Sequence, residues 1–511
     1  MRAITAVITT AMLGGLLALS AAAQSSQAGQ WTTAQENPAR DGWQQQADGI
    51  SPESVRNFQL LWKVDTHNQH MELAGQVQPL IVKSGNRTLA IVAGARSEMT
   101  ALDLNTGSIV WQRHLQWASS TPETPADQAP GGFICENGSI DVPTYNDGKI
   151  YFIPQDGYLH TLSVATGDEI GTPFMVTPRP YPKVNGLQLH DNAIYTIEGQ
   201  GCDGNPNLIY VANLSTRKTT MNMPRQGGMW GTWGAAMDAE GNFYAGTGDG
   251  GYDAAKLELA TSLLKMSPEG KIVDYYTMPW YKWMTSRDED LGYTPVITHY
   301  NGKEWVVAAG KEGRFYVLDP NSLGGANHET AEYVTPLVDN LGWNFQGQGQ
   351  WGGGAGWTAS DGTVWVLSPF GGSANPATPF AYTHGPNPDG GIIALKFETI
   401  DGKAGLVPVW RSTNMQTAQP PAIAGGVVFA LAGGDFAGQG DDIKGGLLSA
   451  KARLERASPA VLYALDAQTG ATLWNSGHEI NSMVHQGGVA VADGKVVFGS
   501  NNGIVYCYGL K

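Results

Sequence analysis

Charge is scarce in this 511-residue chain: only 15% of positions are Asp, Glu, Lys or Arg. Basic charge is scarcer still, with 31 Lys and Arg against 46 Asp and Glu, for a formal net charge of −15. Nucleic-acid binders concentrate Lys and Arg, so this balance argues against a nucleic-acid partner. Cysteine is almost missing. Cys135, Cys202 and Cys507 allow one disulfide and one thiol, and no Cys-x-x-Cys-His occurs, which excludes covalently attached c-type haem. Beyond the first two dozen residues no apolar run is long enough to span a bilayer.

The amino terminus is the exception. "MRAITAVITTAMLGGLLALSAAAQSS" sets Arg2 before a short apolar run that ends in Ala21, Ala22 and Ala23. This is the pattern of a secretory signal, with cleavage expected after Ala23. Residues 24–511 are then expected to form a soluble protein, periplasmic or secreted, without a membrane span.

What the chain has in quantity is glycine, 67 residues, and a repeated sentence. "TALDLNTGSIVW" at Thr100–Trp111 returns as "YALDAQTGATLW" at Tyr463–Trp474. Each reads as a strand, an Asp-x-x-Thr-Gly turn and a returning strand closed by Trp. Looser copies occur in "YLHTLSVATGDEI" and "GGIIALKFETIDGKAGLVPVW". Strand pairs such as "PLIVKSGNRTLAIVAG", "VPTYNDGKIYFIPQDG" and "GGVAVADGKVVFGSNNG" lie between them. Short strands repeating every fifty to sixty residues predict an all-β fold, a β-propeller of four-stranded blades. Eight such entries predict eight blades, with seven as the alternative. Trp111 and Trp474 are expected to pack between blades, and "LLWKVD" to close the ring against the last blade. Ser51 and Pro52 of "SPESVRN" predict a helix start. Residues 438–459 read as an insertion in the seventh blade, with helical composition in "LLSAKARLER".

From Trp31 to Lys511 the chain resembles the pyrroloquinoline-quinone-dependent alcohol dehydrogenases and their quinoprotein-like propeller relatives. The residues that carry the resemblance are Trp31, Arg40, Asp41, "ISPESVRNFQLLWKV" and the "ALDLNTGSIVW" sentences. The resemblance implies an eight-bladed propeller with a quinone and Ca²⁺ in its top-centre funnel. It places Trp233 at the stacking position and Asp249 of "GTGDG" at a calcium-ligand position. Asp288 of "SRDEDLGYTP" falls on the general base, which also binds the metal, and Lys311 of "VVAAGKEGRFYVLD" on the cation that polarises the quinone oxygen. A carboxylate there would accept an alcohol proton and a cation would stabilise developing negative charge. The implied substrate is an alcohol or sugar, with a separate molecule as electron acceptor.

The chain also departs from that pattern. Where the family has adjacent cysteines, "FICENGSIDVP" has Ile134 before Cys135, so a vicinal disulfide cannot form. The family's calcium-ligating Glu aligns with Gly201 of "IEGQGCDGNPN", followed by Cys202 and Asp203 as substitutes at the cofactor and metal. Gln76 stands where a Glu is usual, with Glu72 nearby, and "GGGAGW" keeps Trp357 but has Gly356 in place of Asn. Because the resemblance brings Cys135 and Cys202 to neighbouring top loops, a Cys135–Cys202 disulfide is expected, with Cys507 as an inert buried thiol. Two function classes stay open: an exported quinoprotein oxidoreductase, and a non-catalytic propeller that binds a ligand or protein partner.

Overall fold

The computed structural model describes residues 29–71, 73–115, 141–199, 201–222, 226–287, 289–339, 349–350, 352–436 and 448–511. Residues 1–23, expected to be a secretory signal, therefore lie outside the described residues. Antiparallel strands build eight blades, each winding outward from an inner strand. The inner strands in chain order are Leu80–Ser84, Thr144–Asn146, Val184–His190, Ala236–Met237, Val296–Tyr300, Ala355–Thr358, Ala422–Ala424 and Ala490–Ala492. No helix among the described residues is long and apolar enough to cross a membrane.

The repeated sentence explains how each blade is made and how it docks. Asp103 Oδ1 accepts the backbone N–H groups of Asn105 and Thr106, while Gly107 N–H returns to the Asp103 carbonyl at 2.8 Å. Asp466, Thr469 and Gly470 repeat the arrangement. The closing Trp then lies on the next blade's turn. Trp111 donates its indole N–H to Val164 O at 2.9 Å, and a Cβ at Gly167 would lie 2.5 Å from its ring. Trp410 does the same at Ala467 O and Gly470. Any side chain there would push the indole off, and the positive φ of 71° and 73° independently favours glycine. Trp474 meets the last blade edge-on at Tyr508.

Ring closure follows the expectation. Gln59–Asp65 is the outer strand of blade 8, antiparallel to Ile504–Gly509 with Leu60 opposite Tyr508 and Asp65 opposite Ile504. "SPESVRN" differs in kind: it forms one 3-10 turn, Ser54–Asn57, in which Ser51 Oγ accepts Ser54 N–H at 3.1 Å. A four-residue segment pinned between the ring and the blade 8 strand has no room for a full helix. In the seventh-blade insertion the helix Ala450–Arg456 is present, capped by Ser449. Its Arg453 reaches Asp435 Oδ2 at 2.8 Å, and the same oxygen lies 2.8 Å from His485 Nδ1.

The segment before blade 1 forms a second closure. Its backbone or side chains bond to the inner edge of every blade in turn. Trp31 pairs with Ile81, Tyr145 N–H reaches Thr32 O, and Thr33 Oγ1 donates to Leu187 O. Met237, Ile297, Gly356 and Ile423 then donate to Pro38, Ala39, Asp41 and Gly42 carbonyls, and Gln44 Nε2 reaches Val491 O. Inner strands carry unpaired groups on the channel side, so this arc satisfies them. Arg40, 1% exposed, is its anchor: Nε donates to Ala235 O, Nη2 to Gly186 O and Leu187 O, and Nη1 to Thr33 Oγ1. Burial pulls its pKa down to about 9, with the charge of Asp141 opposing.

Candidate functional site

Inner strands run from an upper face to a lower one, so turns between first and second strands lie below and second-to-third connections lie above. Above blades 3, 4 and 5 the upper connections gather several polar side chains. Lys311 follows the strand Lys303–Ala309 of blade 5, and Asp290 precedes the inner strand of that blade. Lys311 Nζ lies 2.8 Å from Asp290 Oδ1, with side chains only 10% and 11% exposed. A Cβ at Gly349 would lie 1.8 Å from the Lys311 carbonyl oxygen, and one at Gly248 would lie 3.6 Å from Asp290 Oδ2. Glycine thus lets neighbouring backbone close around the pair, and Asp249 sits beside it on the rim, partly exposed.

Trp233 is tied to the same strand entry. Its backbone N–H donates to Thr294 Oγ1 at 3.2 Å, and that hydroxyl donates to Gly234 O at 3.0 Å. The indole crosses the ring. A Cβ at Gly353 would lie 3.4 Å from its Cδ1, and one at Gly488, just before blade 8's inner strand, 2.8 Å from its Cη2. It is 1% exposed.

A residue missed in the sequence completes this region. Glu198 ends the strand Ala193–Glu198, is fully buried, and accepts the backbone N–H groups of Lys183 at 3.3 Å and Cys202 at 3.1 Å through Oε1. Its Oε2 has no hydrogen-bond partner among the described residues. Burial pushes its pKa up to about 8, with the backbone donors holding it lower than burial alone would. The available signal was a lone acid closing the apolar "AIYTIE". Behind Lys311, burial also holds Glu312 up to about 7, against a hydrogen bond from Tyr316, and Asp339 well above the carboxylate range.

The other expected positions divide. Cys202 is disulfide-bonded, whereas Cys507 is a free buried thiol that burial pushes up to about 12. Cys135, Asp288 and the Asp203 side chain lie outside the described residues, as does Glu72. Gln76 belongs to the seam between blades 1 and 8, where Nε2 donates to Thr66 Oγ1 at 2.7 Å. Trp357 is not brought to Trp233 and Lys311. It lies near the lower end of its inner strand, in the wall of a lower-face cavity of about 480 Å³. Strand direction decides this, because "GGGAGW" enters from above and Trp357 comes after the crossing.

Comparisons with known proteins agree with this architecture. Residues 458–510 match the family model described as outer membrane protein assembly factor BamB, a PQQ-repeat family. No curated protein matches the sequence. Among solved structures, a europium-containing methanol dehydrogenase superposes with a TM-score of 0.60 at 14% identity, covering 94% of this chain and 98% of that one. A quinohemoprotein alcohol dehydrogenase from Comamonas testosteroni gives 0.58 at 15% identity, over 94% and 80% of the two chains. The quinohemoprotein alcohol dehydrogenase ADHIIG from Pseudomonas putida HK5 gives 0.59 at 15%, with the same coverage. The chain has the eight-bladed β-propeller fold of these structures, and its residues 458–510 resemble a PQQ repeat.

Proposed function

We propose that the upper mouth is the site of an exported quinone-dependent dehydrogenase that oxidises an alcohol or sugar and passes electrons to a separate acceptor. The observation that carries this reading is the buried Lys311–Asp290 pair, 2.8 Å apart, at a glycine-edged mouth that Trp233 crosses. The donor chemistry fits a hard cation as well. Glu198 offers a buried oxygen without a partner, and Asp249 adds a carboxylate on the neighbouring blade. Glu198 and Asp249 would hold Ca²⁺, with Asp288 and Asp203 as further candidate ligands. Trp233 would carry the ring of pyrroloquinoline quinone, with Cys202 and its disulfide partner, proposed to be Cys135, at the rim. Trp357 leaves the proposed site because it lies at the lower end of its strand.

When bound, the quinone supplies a two-electron acceptor for an alcohol's hydride. The remaining work falls to this chain's own groups. Asp290, or Asp288 two residues before it, accepts the substrate hydroxyl proton at a carboxylate oxygen. Lys311 Nζ, paired with Asp290, stabilises negative charge developing in the mouth. The buried setting excludes water and strengthens both effects. The test is turnover of a panel of alcohols and sugars with an artificial electron acceptor after loading with quinone and Ca²⁺. Activity that falls about a hundredfold or more in Asp290→Asn supports the reading; no turnover of any substrate overturns it.

A second reading has its own support. Trp233 is covered, Ile134 breaks the cysteine pair, and residues 458–510 match an assembly-factor family. On that reading the mouth is closed to cofactors and the propeller binds a protein partner across its top.

A further inference from the structure

The lower face carries a second site that neither reading uses. The arc of residues 37–45 bridges blades 3 to 6 there and roofs the cavity of about 480 Å³. Leu189, Met237 and Ile297 give it an apolar floor, and Trp43 and Trp357 are aromatic walls. Three carboxylates line it, Asp41, Asp238 and Glu304, and among the described residues no Lys or Arg does.

These groups are not simply a solvated acidic patch. Oxygens of Asp238, Glu240 and Glu304 lie within 4.8 Å of one another. Asp238 is 7% exposed and is held by Tyr244 OH at 2.9 Å and Asn242 N–H at 2.8 Å. Burial and the charges of Asp238 and Glu240 raise Glu304 to about 7, with Lys265 opposing. His299 Nε2 is 3.7 Å from Glu304 Oε2. Asp41 Oδ1 is held by Asn37 Nδ2 at 2.8 Å and Trp43 N–H at 2.9 Å. Independently of the acids, Trp357, 7% exposed, and Trp43 set aromatic side chains in the cavity wall.

We propose that this lower cavity binds a small organic amine with an apolar or aromatic body. The ammonium satisfies the Glu304–Asp238 carboxylates, the Trp walls stabilise it from the side, and the apolar floor takes the body. A bare divalent ion would answer the carboxylates but leave the apolar floor and both indoles unused. A neutral sugar would use the indoles but leave the negative charge uncompensated. The volume lies in the range of small-molecule sites. This inference is independent of the quinone reading, because the site is on the opposite face.

Isothermal titration of the full-length protein with tyramine tests it, with tyrosol as the neutral analogue of the same body and Ca²⁺ as the metal arm. The expected result is saturable 1:1 tyramine binding with Kd below about 1 mM, and tyrosol weaker by about tenfold or more. Glu304→Gln should weaken tyramine about tenfold. If that variant does not fold, Thr358→Trp, which fills the mouth from an exposed wall position, should abolish binding. Equal affinity for tyramine and tyrosol, no saturable tyramine binding, or Ca²⁺ binding that Glu304→Gln abolishes would each overturn the proposal.

Discussion

Lys311 and Asp290 form a nearly buried ion pair at 2.8 Å, contributed by the second strand's exit and the inner strand's entry of one blade. Removing one partner of such a pair leaves the other charge in a poorly solvated place. Lys311→Met should destabilise the protein by about 3 kcal/mol. The double variant Lys311→Met/Asp290→Leu should cost less than the two single changes together, by about 1–3 kcal/mol. Denaturant unfolding of the four proteins measures this coupling; additive effects would mean the pair is no functional or structural unit.

Arg40 anchors an arc that touches all eight blades, and its guanidinium serves carbonyls on blades 3 and 4. Arg40→Leu strands several buried carbonyls and should cost about 3 kcal/mol or more. Arg40→Lys keeps the charge but not the fan of donors, so it should recover only part of that loss. Thermal melts of the three proteins check the order.

His160 gives stability a pH dependence with a definite sign. Burial disfavours its charge, but Asp156 at 2.9 Å and Glu169 at 2.7 Å override that and raise its pKa to about 9. A folded pKa above the unfolded value near 6.5 means the contribution is full below about pH 6.5 and disappears as pH rises through about 9. We expect a loss of about 2 kcal/mol across that window. His160→Gln should flatten this part of the stability profile.

Cys202 is oxidised and Cys507 is a free thiol, in a chain with three cysteines. Peptide mapping without reduction should recover Cys202 linked to Cys135. Cys507 should resist alkylation until the protein unfolds, since its thiol is both buried and held far from ionisation. Early labelling of Cys507 would contradict the buried placement.

The fold was legible because its repeat is written in local chemistry. Asp-x-x-Thr-Gly dictates the turn at Asp103 and Asp466, and Trp111 and Trp410 need a glycine opposite them, so letters and packing coincide. "LLWKVD" read correctly as the closing strand because it keeps strand chemistry far from any partner in sequence. The site was less legible. Glu198 and Trp357 depend on how far along a strand a residue falls, which decides between upper mouth and lower cavity. Alignment by likeness put the metal ligand at Gly201, three residues past the acid that the upper mouth buries. The arc of residues 31–44 was invisible because its bonds are to backbone, which any sequence offers.

The most direct test of the quinone site is a titration of the mature protein with pyrroloquinoline quinone, with and without Ca²⁺, followed by tryptophan fluorescence. The account predicts saturable quenching that needs Ca²⁺, weakens about tenfold or more in Glu198→Gln and Lys311→Ala, and is unchanged in Trp357→Phe. Absence of binding under both conditions, or binding indifferent to Glu198 and Lys311, would contradict it and leave the partner-binding propeller as the function.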